Sequence, residues 1–327
     1  MTYLIERSDF YLRRRMLGAG LLAGLGPVSA QGLLGSAVTS IVSTGAPGSG
    51  MDYVARRLAE QFTSRLGGNF PVESMQAAGG AVAASTVLSR PAGSSLLVAH
   101  SGLFCTLPLL SAERLAFNPA EDLMPIGIPV GSPVFVITGK TSGIADMAQL
   151  RQWRGRPLAY AASLVGASGH IGGQVFLDAL RIEPVPVFYS MNRQALLDVS
   201  EARVPLGVFG WPAFSGLVDA GRVSVLCVLS EHRAPFAPQV ATAKELGIDV
   251  NVEGWVGLFS RKGTPESVLQ AYALAMNEFL SGPSLAQFLS VGGFSKLDIR
   301  RPEAPAFIKR DIDRYAEIIR RYHIGKG

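Results

Sequence analysis

An α/β fold in two lobes is predicted by three features of the sequence. The chain has 327 residues, long for a single hydrophobic core. It is 48% hydrophobic and only 17% charged, a globular composition. Above all, a unit of apolar strand, glycine-rich loop and amphipathic helix recurs on both sides of Lys140.

The first unit is the clearest. Val38, Ile41 and Val42 end in the loop Ser43-Thr44-Gly45-Ala46-Pro47-Gly48-Ser49-Gly50, after which Val54, Leu58, Phe62 and Leu66 recur at helical spacing. A second strand is expected over 69–73, followed by the loop Gln76-Ala77-Ala78-Gly79-Gly80 and a helix of small residues through Leu88. Ser95 to His100 reads as a third strand, with Ser101-Gly102 at its end. The stretch 107–125 reads as irregular, with Asn118 placed to cap a helix. Ile126–Val130 and Val134–Thr138 read as two strands separated by Gly131-Ser132-Pro133, and Lys140 to Gly143 as the crossing into the second lobe.

The same order then repeats. Strands are expected at 157–161, 185–188, 206–209 and 223–229, and helices at 171–180, 194–199 and 212–220, the last closed by Gly221. The loop between the first strand and helix of this set is Ala162 to His170, rich in small residues. Gly254 to Arg261 reads as the return strand, and Thr264-Pro265 as an N-cap followed by proline at the first helical position. Helices at 267–280, 284–289 and 302–322 complete the first lobe. The predicted spans are therefore 33–137 with 255–327 for one lobe and 138–254 for the other, each a mostly parallel sheet flanked by helices.

Glycine loops that open onto helices gather unpaired N–H groups at the positive end of the helix dipole, which suits an anion such as a carboxylate. Nucleotide motifs do not fit the first loop. After Gly48-Ser49-Gly50 the dinucleotide fingerprint lacks its third glycine, and the P-loop lysine is absent because Met51 and Asp52 follow Gly50. No Gly-x-Ser-x-Gly elbow occurs, and His100, His170, His232 and His323 stand singly, so neither a serine hydrolase nor a zinc site has its local signature. A Ser/His/Asp set assembled in space is the enzyme alternative. No cofactor is expected.

The formal net charge of +5 suits an acidic small ligand, but Lys and Arg do not cluster as a nucleic-acid footprint would require. Residues 1–30 read as an export signal. Arg13-Arg14-Arg15 precedes an apolar run from Leu17 to Leu25 and small residues at Val28-Ser29-Ala30. The arginines fit a twin-arginine signal or an ordinary secretory one. A periplasmic protein follows, soluble and monomeric. Cys105 and Cys227 are the only cysteines, and pairing and free thiols stay equally open.

Several segments, taken in order, resemble the Bug family, the periplasmic substrate-binding proteins of tripartite tricarboxylate transporters. They begin with Pro47-Gly48-Ser49-Gly50-Met51-Asp52-Tyr53-Val54-Ala55-Arg56 and the Gly79-Gly80 loop. Phe117-Asn118-Pro119, Asp122-Leu123-Met124-Pro125 and Gly166 to His170 follow, then Glu245-Leu246-Gly247 and Trp255-Val256-Gly257-Leu258-Phe259. The resemblance implies a type II periplasmic binding protein whose lobes close like a flytrap on a small organic acid: a mono-, di- or tricarboxylate, an aromatic acid or an amino acid. It implies a membrane transporter as partner, or a membrane sensor if the chain is a receptor module.

By position, the resemblance implies ligand contacts at Gly48, Ser49, Gly50 and Asp52, at Ala78, Gly79 and Ser101, and at Ser168, Gly169, His170 and Tyr189. The chain departs from the family pattern where Ser190-Met191, rather than Lys-Gly, follow Tyr189. Each residue type also has a plainer use. Asp52 suits the first turn of a helix and braces its loop more readily than it touches an anion. Ser168 could serve as an N-cap, and His170 as a buried, hydrogen-bonded histidine. Tyr189 and Trp255 could be core aromatics, and Trp211 a wall of the cleft.

Overall fold

The computed structural model describes residues 38–111 and 115–325. The export signal read in residues 1–30 lies outside them. Strand β1 (Ser40–Ser43) leads into α1 (Gly50–Leu66), whose 3.6-residue stripe Val54, Leu58, Phe62 and Leu66 is buried as the spacing requires. β2 (Val72–Ser74), a 3₁₀ turn at Ala78–Gly80 and α2 (Ala81–Ser89) follow, then β3 (Ser95–His100). α3 (Ser101–Cys105) comes next, and the stretch 107–125, expected to be irregular, holds the short helices α4 (Leu107–Leu110) and α5 (Pro119–Asp122), the last capped by the Asn118 side chain. Next come β4 (Leu123–Gly139) and α6 (Met147–Arg151).

The second unit contains β5 (Pro157–Ala162), α7 (Ser168–Ala179), β6 (Glu183–Phe188), α8 (Asn192–Ser200), β7 (Leu206–Gly210), α9 (Trp211–Asp219) and β8 (Val223–Val228). The chain returns through β9 (Glu253–Arg261) and finishes with α10 (Glu266–Ser281), α11 (Leu285–Gly292), β10 (Ser295–Arg300) and α12 (Ala304–Arg321). β10 has no counterpart in the sequence reading, because its alternation of Lys296, Asp298 and Arg300 with Leu297 and Ile299 is too polar to stand out. The helix start at Thr264 is also corrected. Pro265 is the cap residue of α10, and the Thr264 hydroxyl donates to the Arg261 carbonyl at 2.8 Å.

β4 is the main revision. Gly131-Ser132-Pro133 does not separate two strands but lies within one strand of 17 residues. From Leu123 to Pro133 this strand pairs with β9; from Val134 to Gly139 it pairs with β7 and β8. Proline can donate nothing to a ladder, so it is tolerated where the strand changes partners. The first sheet thus runs β2-β1-β3-β9-β4-β10 and the second β6-β5-β7-β4-β8. Pairing is parallel at β1–β2, β1–β3, β5–β6 and β5–β7, as the repeated units dictate. It is antiparallel wherever β4 or β9 takes part, because these two strands carry the chain out and back.

Each sheet is covered by helices. The core between α1, α10, α11 and the first sheet contains Phe62, Tyr272, Met276 and Phe288. That between α8, α9 and the second sheet contains Phe135, Val199 and Phe214. A third core joins the two halves, running from Val42 and Phe104 through Trp255 to Tyr160 and Phe176. Among the described residues no helix is long and apolar enough to cross a membrane.

Candidate ligand-binding site

A cleft of about 1280 Å³ lies between the two halves, lined from both. It exceeds the roughly 300–1,000 Å³ usual for a small-molecule site. Its floor is where β4 and β9 pass between the sheets, at the facing residues Ser132 and Gly254. A Cβ built on Gly254 would lie 2.9 Å from Ser168 Oγ and 3.4 Å from Ser101 Oγ. Two hydroxyls, one from each half, therefore converge on the floor.

Ser168 reaches this point because α7 lies flush on the second sheet. A Cβ on Gly169 would stand 2.4 Å from the Val208 carbonyl oxygen, and one on Gly173 would strike the Tyr160 ring at 2.2 Å. Only hydrogen fits at either position, so the helix packs against the strands and its N-terminus is carried to the cleft. Ala167, not Ser168, is the cap residue, and no side chain caps this end. Ser168 is the first helical residue, its hydroxyl left free of a capping role.

His170 has the plainer of its two expected uses, that of a buried, hydrogen-bonded histidine. It is 4% exposed, its Nδ1 accepts the Gly166 N–H at 3.0 Å, and its ring meets Phe188 edge-on with centroids 4.9 Å apart. It nevertheless lines the cleft. Burial pushes its imidazole down to about 4, so it is neutral at physiological pH, and the Gly166 bond leaves Nε2 as the protonated nitrogen. Burial likewise lowers His100, also in the cleft, to about 4.

In the first glycine loop Asp52 acts as the brace that its place in the first turn suggests. Asp52 is buried and receives the Gly48 N–H at 2.9 Å, Arg56 Nε at 2.9 Å and the Ser74 hydroxyl at 2.6 Å, while Ser49 Oγ caps the Asp52 amide at 3.4 Å. Burial alone would raise this carboxyl, but the bonds from Arg56, Ser74 and Gly48 outweigh it and hold it below the ordinary carboxylate value. The helix end thus has an anion of its own. A Cβ on Gly50 would meet Phe294, and one on Gly48 would meet nothing within 4 Å. Gly48, Ser49, Gly50 and Asp52 do not line the cleft; this segment contributes Thr44 and Met51 instead.

Of the other expected contacts, Ala78, Gly79, Ser101, Ser168, His170 and Tyr189 line the cleft, and Gly169 does not. Ala78, Gly79 and Gly80 all have positive φ, at 47°, 63° and 95°. For Ala78 that conformation costs about 1–2 kcal/mol, and such strain concentrates at ligand clamps. The Tyr189 hydroxyl donates to Asp198 at 2.8 Å, and burial together with that carboxylate pushes it up to about 12. Trp211 packs among Phe135, Phe214 and Phe236 rather than walling the cleft.

The sequence reading missed Thr44, Ser132, Gly254 and Tyr315. Thr44 and Tyr315 line the cleft, and the hydroxyl of each is buried without a hydrogen-bond partner. Gly-Ser-Pro inside an apolar run marked Ser132, whereas Tyr315 on α12 carried no local signal. Beneath the floor, Trp255 Nε1 donates to Asp311 at 2.7 Å, the Cys105 thiol donates to the same oxygen at 3.5 Å, and Arg314 pairs with Asp311 at 2.6 Å. Both cysteines are free and buried. Among the described residues no cluster of His, Cys, Asp or Glu could hold a metal.

Two lobes joined by crossing strands over a hydroxyl-rich cleft define a solute-binding protein of the periplasmic type. The profile of the tripartite tricarboxylate transporter family receptor (TctC) matches residues 54–324, and the chain belongs to this family. That family consists of substrate-binding proteins rather than enzymes, which removes the Ser/His hydrolase alternative. Protein BugT of Bordetella pertussis is 25% identical over 281 residues, covering 84% of this chain and 86% of its own. Among solved structures, periplasmic binding protein BugD superposes with a TM-score of 0.74 at 24% identity, covering 89% of this chain and 99% of that one. An R. palustris protein solved with adipate gives 0.79 at 23% identity, covering 88% and 98%. MatC of Rhodopseudomonas palustris, solved with malate, gives 0.72 at 24% identity, covering 86% and 99%.

Proposed function

We propose that this chain is exported to the periplasm, where as a monomer it captures a small carboxylate between its lobes and presents it to a tripartite tricarboxylate-type membrane transporter. Residues 33–137 with 255–327 form one lobe and residues 138–254 the other. The carrying observation is the convergence of Ser101 and Ser168 hydroxyls on Gly254 from opposite halves. Hydroxyls and helix N-terminal amides hold a carboxylate without an ion pair, and they do so fully only when the lobes come together. Relatives solved with adipate and malate support an acid as the ligand. The export signal read in residues 1–30 supports the compartment.

The test is native mass spectrometry followed by thermal shift and small-angle scattering with carboxylates. A carried acid, a melting shift that grows with ligand concentration and a smaller radius of gyration on binding are expected. Binding without compaction counts against closure, and no shift with any acid counts against the carboxylate.

A further inference from the structure

We infer that Leu110 sets the longest ligand the cleft admits, as the centre of a thin wall that closes the cleft beside its floor. This rests on the proposed carboxylate reading and adds to it a limit on the length of the acid.

Three parts of the chain assemble the wall. The first is α4, reached from Ser101 through α3 and Thr106, with Leu110 half-buried at its end. The Leu110 amide donates to the Thr106 carbonyl at 3.0 Å and the Thr106 hydroxyl to the Gly102 carbonyl at 3.1 Å, which fixes the leucine relative to the floor. The second is the loop before Ser168, where the Gly166 amide is held by His170. A Cβ on Gly166 would lie 2.5 Å from Leu110 Cδ1. The third is the turn after α12, where a Cβ on Gly325 would lie 2.7 Å from Leu110 Cδ2. The two methyls of one leucine thus rest against two glycines, at φ 79° and 80°, where any side chain would displace them.

The turn after α12 is itself fastened. His323 takes a left-handed φ of 50°, the Ile324 amide donates back to the Ile319 carbonyl at 3.1 Å, and Ile324 is buried. This closure ends a helix by folding the chain over its last turn. The Tyr322 hydroxyl donates to Asp178 of α7 at 2.9 Å, which ties the turn to the second half of the molecule.

Behind the wall lies a second cavity of about 300 Å³. Among the described residues, Leu110, Ile324 and Gly325 line both this cavity and the cleft. Gly325 has no side chain to remove, and Ile324 belongs to the core that joins the halves. Shortening Leu110 is therefore the change that connects the two spaces. Surroundings relax only partly around a lost core side chain, so the space it leaves stays open. An acid held at Ser101 and Ser168 can extend along the cleft only as far as the wall, and one methylene too many in a closed pocket costs about 10-fold in affinity or more.

The experiment is titration calorimetry of the protein and its Leu110→Ala variant with two series of straight-chain acids: butanoate, hexanoate, octanoate and decanoate, then succinate, adipate, suberate and sebacate. Wild-type affinity should fall at least ~10-fold at the first acid that is too long. Leu110→Ala should bind that acid at least ~5-fold tighter than the wild type does, moving the cut-off to a longer member of the series. Leu110→Met conserves volume and should keep the wild-type cut-off. Leu110→Val should move it in the same direction as alanine but by less, and it carries the test if the alanine variant does not melt cooperatively. A cut-off that neither shortened variant moves, or a wild-type affinity that does not fall through decanoate and sebacate, overturns the inference and leaves the carboxylate reading intact. No binding of any acid in either series overturns both.

Discussion

The loop before α1 and the loop before α7 have the same construction, a strand running through small residues into a helix, yet they are put to opposite use. At α1 the helix end is saturated from within. Asp52 sits in the first turn, Ser49 caps its amide, and Gly48, Arg56 and Ser74 surround its carboxylate. At α7 the first turn carries no acidic residue and no side-chain cap, and Ser168 points at the crossing of the lobes. Both loops have the dipole and the free amides that attract an anion. Only the second leaves them unclaimed by a side chain, so only there does the chain supply no counter-charge of its own.

The largest effect should come from the floor that the α7 loop faces. Gly254→Val suits a strand, but its side chain occupies the space between Ser101 Oγ and Ser168 Oγ. Affinity for the bound acid should fall by more than ~100-fold with a nearly unchanged melting temperature. Wild-type affinity in titration calorimetry would place the ligand elsewhere. His170, the internal brace of the same loop, should next appear in the pH dependence of stability. It titrates near 6.5 when unfolded but at about 4 when folded, so between these values the unfolded chain binds the extra proton. Its contribution is intact above pH 6.5 and is lost as the pH falls toward 4. Urea denaturation should show a loss of about 2 kcal/mol from this imidazole between pH 7 and pH 5. His170→Asn should flatten that slope, leaving the part due to His100.

Local pattern was enough to recover most of the elements and the place where the loops meet. β3 was legible to the residue, since Leu96 to Ala99 is an uninterrupted apolar run. The antiparallel pairings were not, because the partners of β4 are set by the return of β9 from more than a hundred residues away. The same limit divided the site. Ser101, Ser168 and His170 announce themselves by lying at the ends of strand-to-helix loops. Whether Gly48 to Asp52 faces ligand depends on Ser74 arriving from β2 to complete the Asp52 shell, which no local pattern records. Tyr315 depends likewise on α12 folding back beneath Trp255.

The contrast between the two loops is sharpest when each is deprived of its key side chain. Asp52→Asn removes the internal anion of the first loop and weakens its bonds to Arg56, Ser74 and Gly48. With Arg56 largely in water, the expected loss is about 1–2 kcal/mol in chemical denaturation. Affinity should stay within ~3-fold, since none of these groups lines the cleft. Ser168→Ala should do the reverse. Its hydroxyl caps nothing, so stability should hold within about 0.5 kcal/mol. The ligand loses one hydrogen bond to its charged group, worth about 1.4 kcal/mol or ~10-fold in Kd. If both variants moved stability and neither moved affinity, the α7 end would be as internally committed as the α1 end. If Asp52→Asn alone weakened binding, the first loop would be the one that holds the acid.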